Sequence, residues 1–94
     1  MDIKNILVVC VGNICRSPMA EYLLKQQYSN FIIESAGISG LTGRAADAKA
    51  QLCMQRLNID ISQHVARKLN VEQLKQADLV LVMSHNQQKH IEQM

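Results

Sequence analysis

Cys10 and Arg16 enclose five residues, Val11-Gly12-Asn13-Ile14-Cys15, and Ser17-Pro18 follows at once. A thiolate is a strong nucleophile, and a guanidinium is a planar fork that grips two phosphate oxygens together and does not lose its charge. The pair suits phosphoryl transfer to sulfur. That chemistry needs an anion-binding loop, and the flanking residues predict one. Ile6-Leu7-Val8-Val9 is a β-branched apolar run of buried-strand type. Ser17-Pro18 is a helix-start signal, with Ser17 as N-cap and Pro18 at the first helical position. A loop between strand and helix start lies where backbone N–H groups and the positive end of a helix dipole converge on an anion, a setting that also favours a thiolate.

The elements that must carry this loop read strand, helix, strand, helix, helix, strand, helix. After the loop, Ala20, Leu23, Leu24 and Tyr28 share a helical face, and Phe31 to Ser35 reads as a second strand. The stretch Gly37 to Gly43 is a loop expected beside Cys10–Ser17, because both follow carboxyl ends of parallel strands. Asp47 can N-cap the next helix, whose stripe is Ala46, Ala50, Cys53 and Leu57; Cys53 is thus most simply a core residue. Asn70 with Gln73, and Ser84 with Gln87, resemble capping boxes. Between them Leu79 to Met83 is a near-continuous apolar strand, as expected where both sheet faces are covered.

At 94 residues the chain is at most one domain, and with 48% hydrophobic residues it can bury a core. A net charge of +2 with intermingled signs and few aromatics argue against a nucleic-acid partner. The longest apolar run, Ile6 to Val11, is too short to span a bilayer, and Asp2 opens no signal pattern, so no membrane partner and a cytoplasmic location are expected. Three cysteines, one needed as a free thiolate, fit a reducing compartment. His85 and His90 stand in too loose a register for a metal pair, and no Cys/His cluster has zinc spacing. No metal and no cofactor are expected.

The Cys10–Ser17 segment resembles the phosphate-binding loop of the low-molecular-weight protein tyrosine phosphatases. The resemblance continues through Ser35-Ala36-Gly37, Gly43-Arg44 with Asp47, Ser62 to Arg67, and Leu79 to Met83. It looks closest to the bacterial branch that dephosphorylates tyrosine kinases of capsule and exopolysaccharide export. An α/β three-layer sandwich is implied, with a short parallel sheet in the order 2-1-3 and the family's fourth strand absent. In that order the first crossover helix lies on one sheet face and the helices joining strands two and three lie on the other.

By the same resemblance, Cys10 is the nucleophile and Arg16 the oxyanion clamp, with Val11, Gly12, Asn13, Ile14, Cys15, Arg16 and Ser17 forming the phosphate site. Asn13 holds the loop in its unusual turn, Ser17 donates a hydroxyl to the thiolate, and Ser35 and His64 brace Asn13. Cys15 is the neighbouring thiol that can form a disulfide with Cys10. Leu41 is expected as a wall for a phenol ring. The implied partner is a phosphotyrosine protein, an autophosphorylated tyrosine kinase among the candidates.

One departure stands against these matches. The family's general acid lies in an Asp-Pro-Tyr-type loop after the third strand, whereas the only proline here is Pro18. Residues 1–94 are therefore expected to form a C-terminally truncated phosphatase domain with impaired activity and an uncovered sheet face through which copies could associate. Asp47 as a substitute acid competes with its simpler role as an N-cap. Two rival functions are an arsenate reductase-like enzyme, for which no relay cysteine follows Cys53, and a non-catalytic phosphate-binding or interaction module.

Overall fold

The computed structural model describes residues 3–39 and 41–94; Met1, Asp2, Gly40 and the His85 side chain lie outside the described residues, and with them the sequence readings that touch them. The predicted order of elements is present: β1 (Asn5–Cys10), α1 (Arg16–Gln27), β2 (Ile32–Gly37), α2 (Ala48–Gln55), α3 (Val71–Gln76), β3 (Leu79–Val82) and α4 (His85–Glu92). The strands form a parallel sheet in the order β2-β1-β3, with Val8 opposite both Ser35 and Leu81. The central strand β1 is the most apolar, and Leu7, Val8, Val9 and Cys10 are all buried.

Alternation along β1 sorts the core into two faces. Ile6, Val8 and Ile33 pack against Ala20 and Leu24 of α1. Leu7, Val9 and Ala36 pack with Leu69, Leu74, Val80, Val82 and Ile91 on the side of α3 and α4. The helix α2 is not on that second face, contrary to expectation. Its Ala50 and Met54, with Ala46 and Ile61, pack against Cys15, Met19 and Tyr22, so α2 lies on α1. The buried stripe is thus one residue over from the predicted one: Cys53 is exposed, and Leu57, past the helix end, is 54% exposed.

Leu23 and Tyr28 are also exposed, so only Ala20 and Leu24 of the predicted α1 face meet the sheet. On β3, Leu79 and Leu81 pair in register with Ile6 and Val8, which places them on the α1 side. They are 37% and 36% exposed, because α1 covers β1 and β2 and stops short of the third strand. The expectation that both faces of β3 are covered therefore fails on this side.

Local signals act largely as read. Asn70 and Gln73 form both halves of a capping box on α3. On α4 the Ser84 hydroxyl accepts from Gln87 N–H, but the Gln87 side chain turns back to Met83 N–H rather than to the cap residue. Asp78 pins the sheet's lower edge by accepting from Lys4 and Asn5 N–H, each at 2.9 Å, which holds its carboxyl below the usual range. No described helix is long and apolar enough to cross a membrane.

Candidate active site

The loop leaving β1 is held by its carbonyls. Cys10 O accepts from Ile38 N–H at 2.9 Å, Val11 O from Ser39 at 3.1 Å, Gly12 O from Leu41 at 3.1 Å and Ile14 O from Asp47 at 2.6 Å. Asn13 O meets His64 Nε2 at 2.8 Å. Five successive carbonyls are thus engaged by the flanking segments, so the loop presents N–H groups rather than oxygens to its interior. A concavity of this polarity binds anions.

Asn13 makes the turn possible. Its φ of 60° lies in the left-handed region, which Asn tolerates better than most residues. Its buried side chain donates through Nδ2 to Ser17 Oγ at 2.8 Å and to Ser35 Oγ at 2.9 Å, and accepts at Oδ1 from Arg67 N–H at 2.9 Å. Gly37 completes the seat. A Cβ there would lie 2.6 Å from Val11 O and 2.8 Å from Asn13 N, so only glycine lets β2 end against the loop.

Cys10 Sγ sits at the loop's base, 5% exposed, 2.9 Å from Ser17 Oγ and 3.3 Å from Asn13 N–H. The helix begins two residues earlier than read. Its N-cap is Cys15, with no side-chain cap bond, and Arg16 is the first helical residue. Ser17 does not cap, because its hydroxyl is taken by Cys10 and Asn13, and the uncapped helix end faces the loop. Arg16 is exposed and, with Val11, Ile38, Ser84, Asn86, Gln87 and His90, lines a cleft of ≈390 Å³. Leu41 rests on the loop, its Cδ1 3.3 Å from where a Cβ on Gly12 would be.

Cys15 is half-buried against α2, and this burial, with the nearby Asp47 and Cys10 charges, pushes its thiol above the ordinary value while Arg16 opposes the shift. Asp47 is an N-cap, its carboxylate accepting from Lys49 and Ala50 N–H. His90 lines the cleft, and among the described residues no group of three His, Cys, Asp or Glu could hold a metal ion.

The sequence reading passed over Glu21. It is 4% exposed, accepts from Ser35 Oγ and from Lys25 Nζ at 2.6 Å, and its Oε1 is 4.0 Å from His64 Nδ1. Its spacing of four from Ser17 was the available signal, since a helical residue at that step shares Ser17's inward face.

The model of the family described as low molecular weight phosphotyrosine protein phosphatase matches residues 5–94. The low molecular weight protein-tyrosine-phosphatase Ptp of Acinetobacter johnsonii is 73% identical over 93 residues, covering 99% of this chain and 66% of the relative. The probable low molecular weight protein-tyrosine-phosphatase EpsP of Ralstonia solanacearum is 49% identical over 90 residues, covering 96% of this chain and 62% of the relative. The solved structure of Vibrio vulnificus Wzb in complex with benzylphosphonate superposes with a TM-score of 0.94 at 36% identity, covering 98% of this chain and 66% of that one. The chain therefore spans just under two thirds of the length of these relatives. With the family model matched from Asn5 to Met94 and the overall fold shared with the Vibrio structure, this chain belongs to the low molecular weight phosphotyrosine protein phosphatase family.

Proposed function

We propose that the chain carries the phosphate-binding portion of a protein tyrosine phosphatase, with Cys10 as nucleophile and Arg16 as clamp. The observation that carries this reading is the seating of Cys10 Sγ beneath Ser17 Oγ and Asn13 N–H, in a loop whose carbonyls all point elsewhere. The thiolate attacks phosphorus in line, the ester P–O bond breaks, and phosphorus becomes bonded to sulfur. The guanidinium and loop N–H groups stabilise the charge on the equatorial oxygens. Water then attacks the phosphocysteine, releasing phosphate and regenerating the thiolate. Benzylphosphonate, held by the Vibrio relative, pairs a tetrahedral anion with an aromatic ring, which supports an aryl phosphate here and Leu41 as a ring contact.

The likeness to the protein-tyrosine-phosphatase EpsP supports a phosphotyrosine protein as the partner, with an autophosphorylated tyrosine kinase as the candidate that the family resemblance implies. Acid quenching during turnover of an aryl phosphate is expected to trap a phosphoryl adduct on the Cys10 peptide by mass spectrometry. Turnover with no adduct, or with the adduct on another residue, refutes the nucleophile assignment.

Cys15 is the proposed redox partner. Peroxide converts the Cys10 thiolate to a sulfenic acid; the Cys15 thiolate attacks that sulfur, hydroxide departs, and a disulfide remains. Because burial pushes the Cys15 thiol upward, its thiolate is the scarce reactant near neutral pH. Closure should therefore accelerate by about tenfold per pH unit below the Cys15 titration. Peptide mapping should find Cys10 joined to Cys15, with activity restored by dithiothreitol. A disulfide to Cys53, or closure independent of pH between neutral and mildly alkaline conditions, contradicts this.

A further inference from the structure

The directions of the hydrogen bonds behind Cys10 follow from which groups can only donate and which can only accept. Arg67 N–H is a donor, so the Asn13 atom facing it is Oδ1, and Nδ2 gives its two protons to Ser35 and Ser17. Ser17 Oγ, accepting from Asn13, has its own proton left for Cys10 Sγ. Ser35 Oγ likewise accepts from Asn13 and gives its proton to Glu21. Lys25 Nζ holds the other oxygen of the same carboxylate at 2.6 Å. His64 Nε2 faces the Asn13 carbonyl, so it carries a proton, and its Nδ1 faces Glu21 at 4.0 Å. Asn13, Ser17, Ser35, His64 and Glu21 are all buried, Lys25 reaches in from the surface, and the arrangement ends on a carboxylate that the phosphatase chemistry does not touch.

We propose that Glu21 is a positioning residue for Cys10: by taking the Ser35 proton it fixes the direction of the Glu21–Ser35–Asn13–Ser17 chain, so that the Ser17 hydroxyl donates to Cys10 Sγ. Alternatives exist without an acceptor at this place. In Glu21→Gln the amide oxygen is drawn to the Lys25 ammonium, which can only donate, and the amide N–H turns to Ser35. Ser35 then keeps a proton that must find an acceptor inside the protein, at a cost if it finds none. Asn13 can supply one only by reversing its amide. Reversal breaks the Arg67 bond and offers Oδ1 to Ser17, so Ser17 donates to Asn13 instead of to Cys10. The thiolate loses its hydroxyl donor while the loop keeps its path. Lys25 and His64 are the charged or titratable groups that face Glu21, and neither touches Cys10 in the described structure.

This inference rests on Cys10 being a reactive thiolate, and the test separates the two. Iodoacetate alkylation at pH 7 is followed at Cys10 and at exposed Cys53 in the same molecule, with Cys53 as the ordinary-thiol reference. In the unaltered chain Cys10 should react faster than Cys53; if it does not, the nucleophile reading itself fails. In Glu21→Gln the Cys10 rate is expected to fall by about tenfold or more relative to Cys53 and to recover at pH 10, with affinity for inorganic phosphate within threefold of wild type. A Cys10 rate within twofold of wild type overturns the proposal. So does parallel loss of phosphate affinity, which marks a collapsed loop. Glu21→Asp keeps an acceptor-only group and is read whether or not the Gln variant folds. It should lose less than threefold in Cys10 reactivity, and a loss equal to that of Gln overturns the proposal.

Discussion

Cys10→Ser is expected to lower aryl phosphate turnover by more than about 10³-fold, or about 4 kcal/mol of barrier, without loss of phosphate binding. A serine hydroxyl is a weak nucleophile unless an adjacent base takes its proton. Among the described residues no such base is in place: the groups on Cys10 Sγ are Ser17 Oγ and Asn13 N–H, both of which the proposed mechanism uses as donors to the sulfur. The anion cradle is built from elsewhere. Its shape depends on Asn13 in its left-handed turn, on the outward-bound carbonyls and on Gly37, none of which needs the sulfur. Replacing an anionic sulfur beside a bound anion also removes a repulsion. Phosphate affinity should therefore hold within threefold or improve, as titration calorimetry can measure. Turnover within threefold of wild type would exclude Cys10 as the nucleophile.

What the sequence disclosed, and what it hid, divides along the range of the interactions involved. A parallel sheet and the placement of two loops side by side follow from strand–helix alternation, whereas the strand order came from the family resemblance; the Gly37 to Gly43 segment does bond the Cys10 loop through Ile38, Ser39 and Leu41. The Asn70 box and the Asp47 cap are local, so three or four residues specify them. The α2 stripe was misplaced because steps of three and four residues from Ala50 are both helical. Tertiary packing on α1 chose Met54 over Cys53. Ser17 was read as a cap because Ser-Pro is a helix-start pair; two partners, one from β1 and one from the loop, took its hydroxyl instead.

Glu21 was passed over for a related reason. A carboxylate on a helix is usually solvated, and only the meeting of Ser35 from β2, His64 from beyond α2 and Lys25 from the same helix explains its burial. The role of Gly37 is of the same kind. Nothing next to it in sequence shows that a loop 24 residues upstream, at Asn13, occupies the place of its Cβ.

The second large effect concerns the proton that the leaving group needs. A polypeptide of residues 1–94 alone, which hold no Asp-Pro pair, should hydrolyse phosphotyrosine far more slowly than an activated aryl ester. General acid catalysis contributes about 10²–10⁴-fold, or about 2.7–5.4 kcal/mol. A nitrophenolate leaves unprotonated, whereas the tyrosine phenolate is more basic and leaves poorly without a proton. Asp47 lies near enough to influence Cys15, but its carboxylate is committed to capping α2, accepting from Lys49 and Ala50 N–H, and is not free to serve a leaving group. The ratio of rates on nitrophenyl phosphate and phosphotyrosine should exceed that of a full-length relative by about 10²-fold or more. Adding the segment that extends the relatives beyond the matched region should restore the ratio. The same addition is expected to raise the melting temperature by covering Leu79 and Leu81 on β3. Equal ratios for the short polypeptide and a full-length relative would require an acid within these 94 residues; Asp47→Asn would then abolish phosphotyrosine turnover if Asp47 supplies the proton.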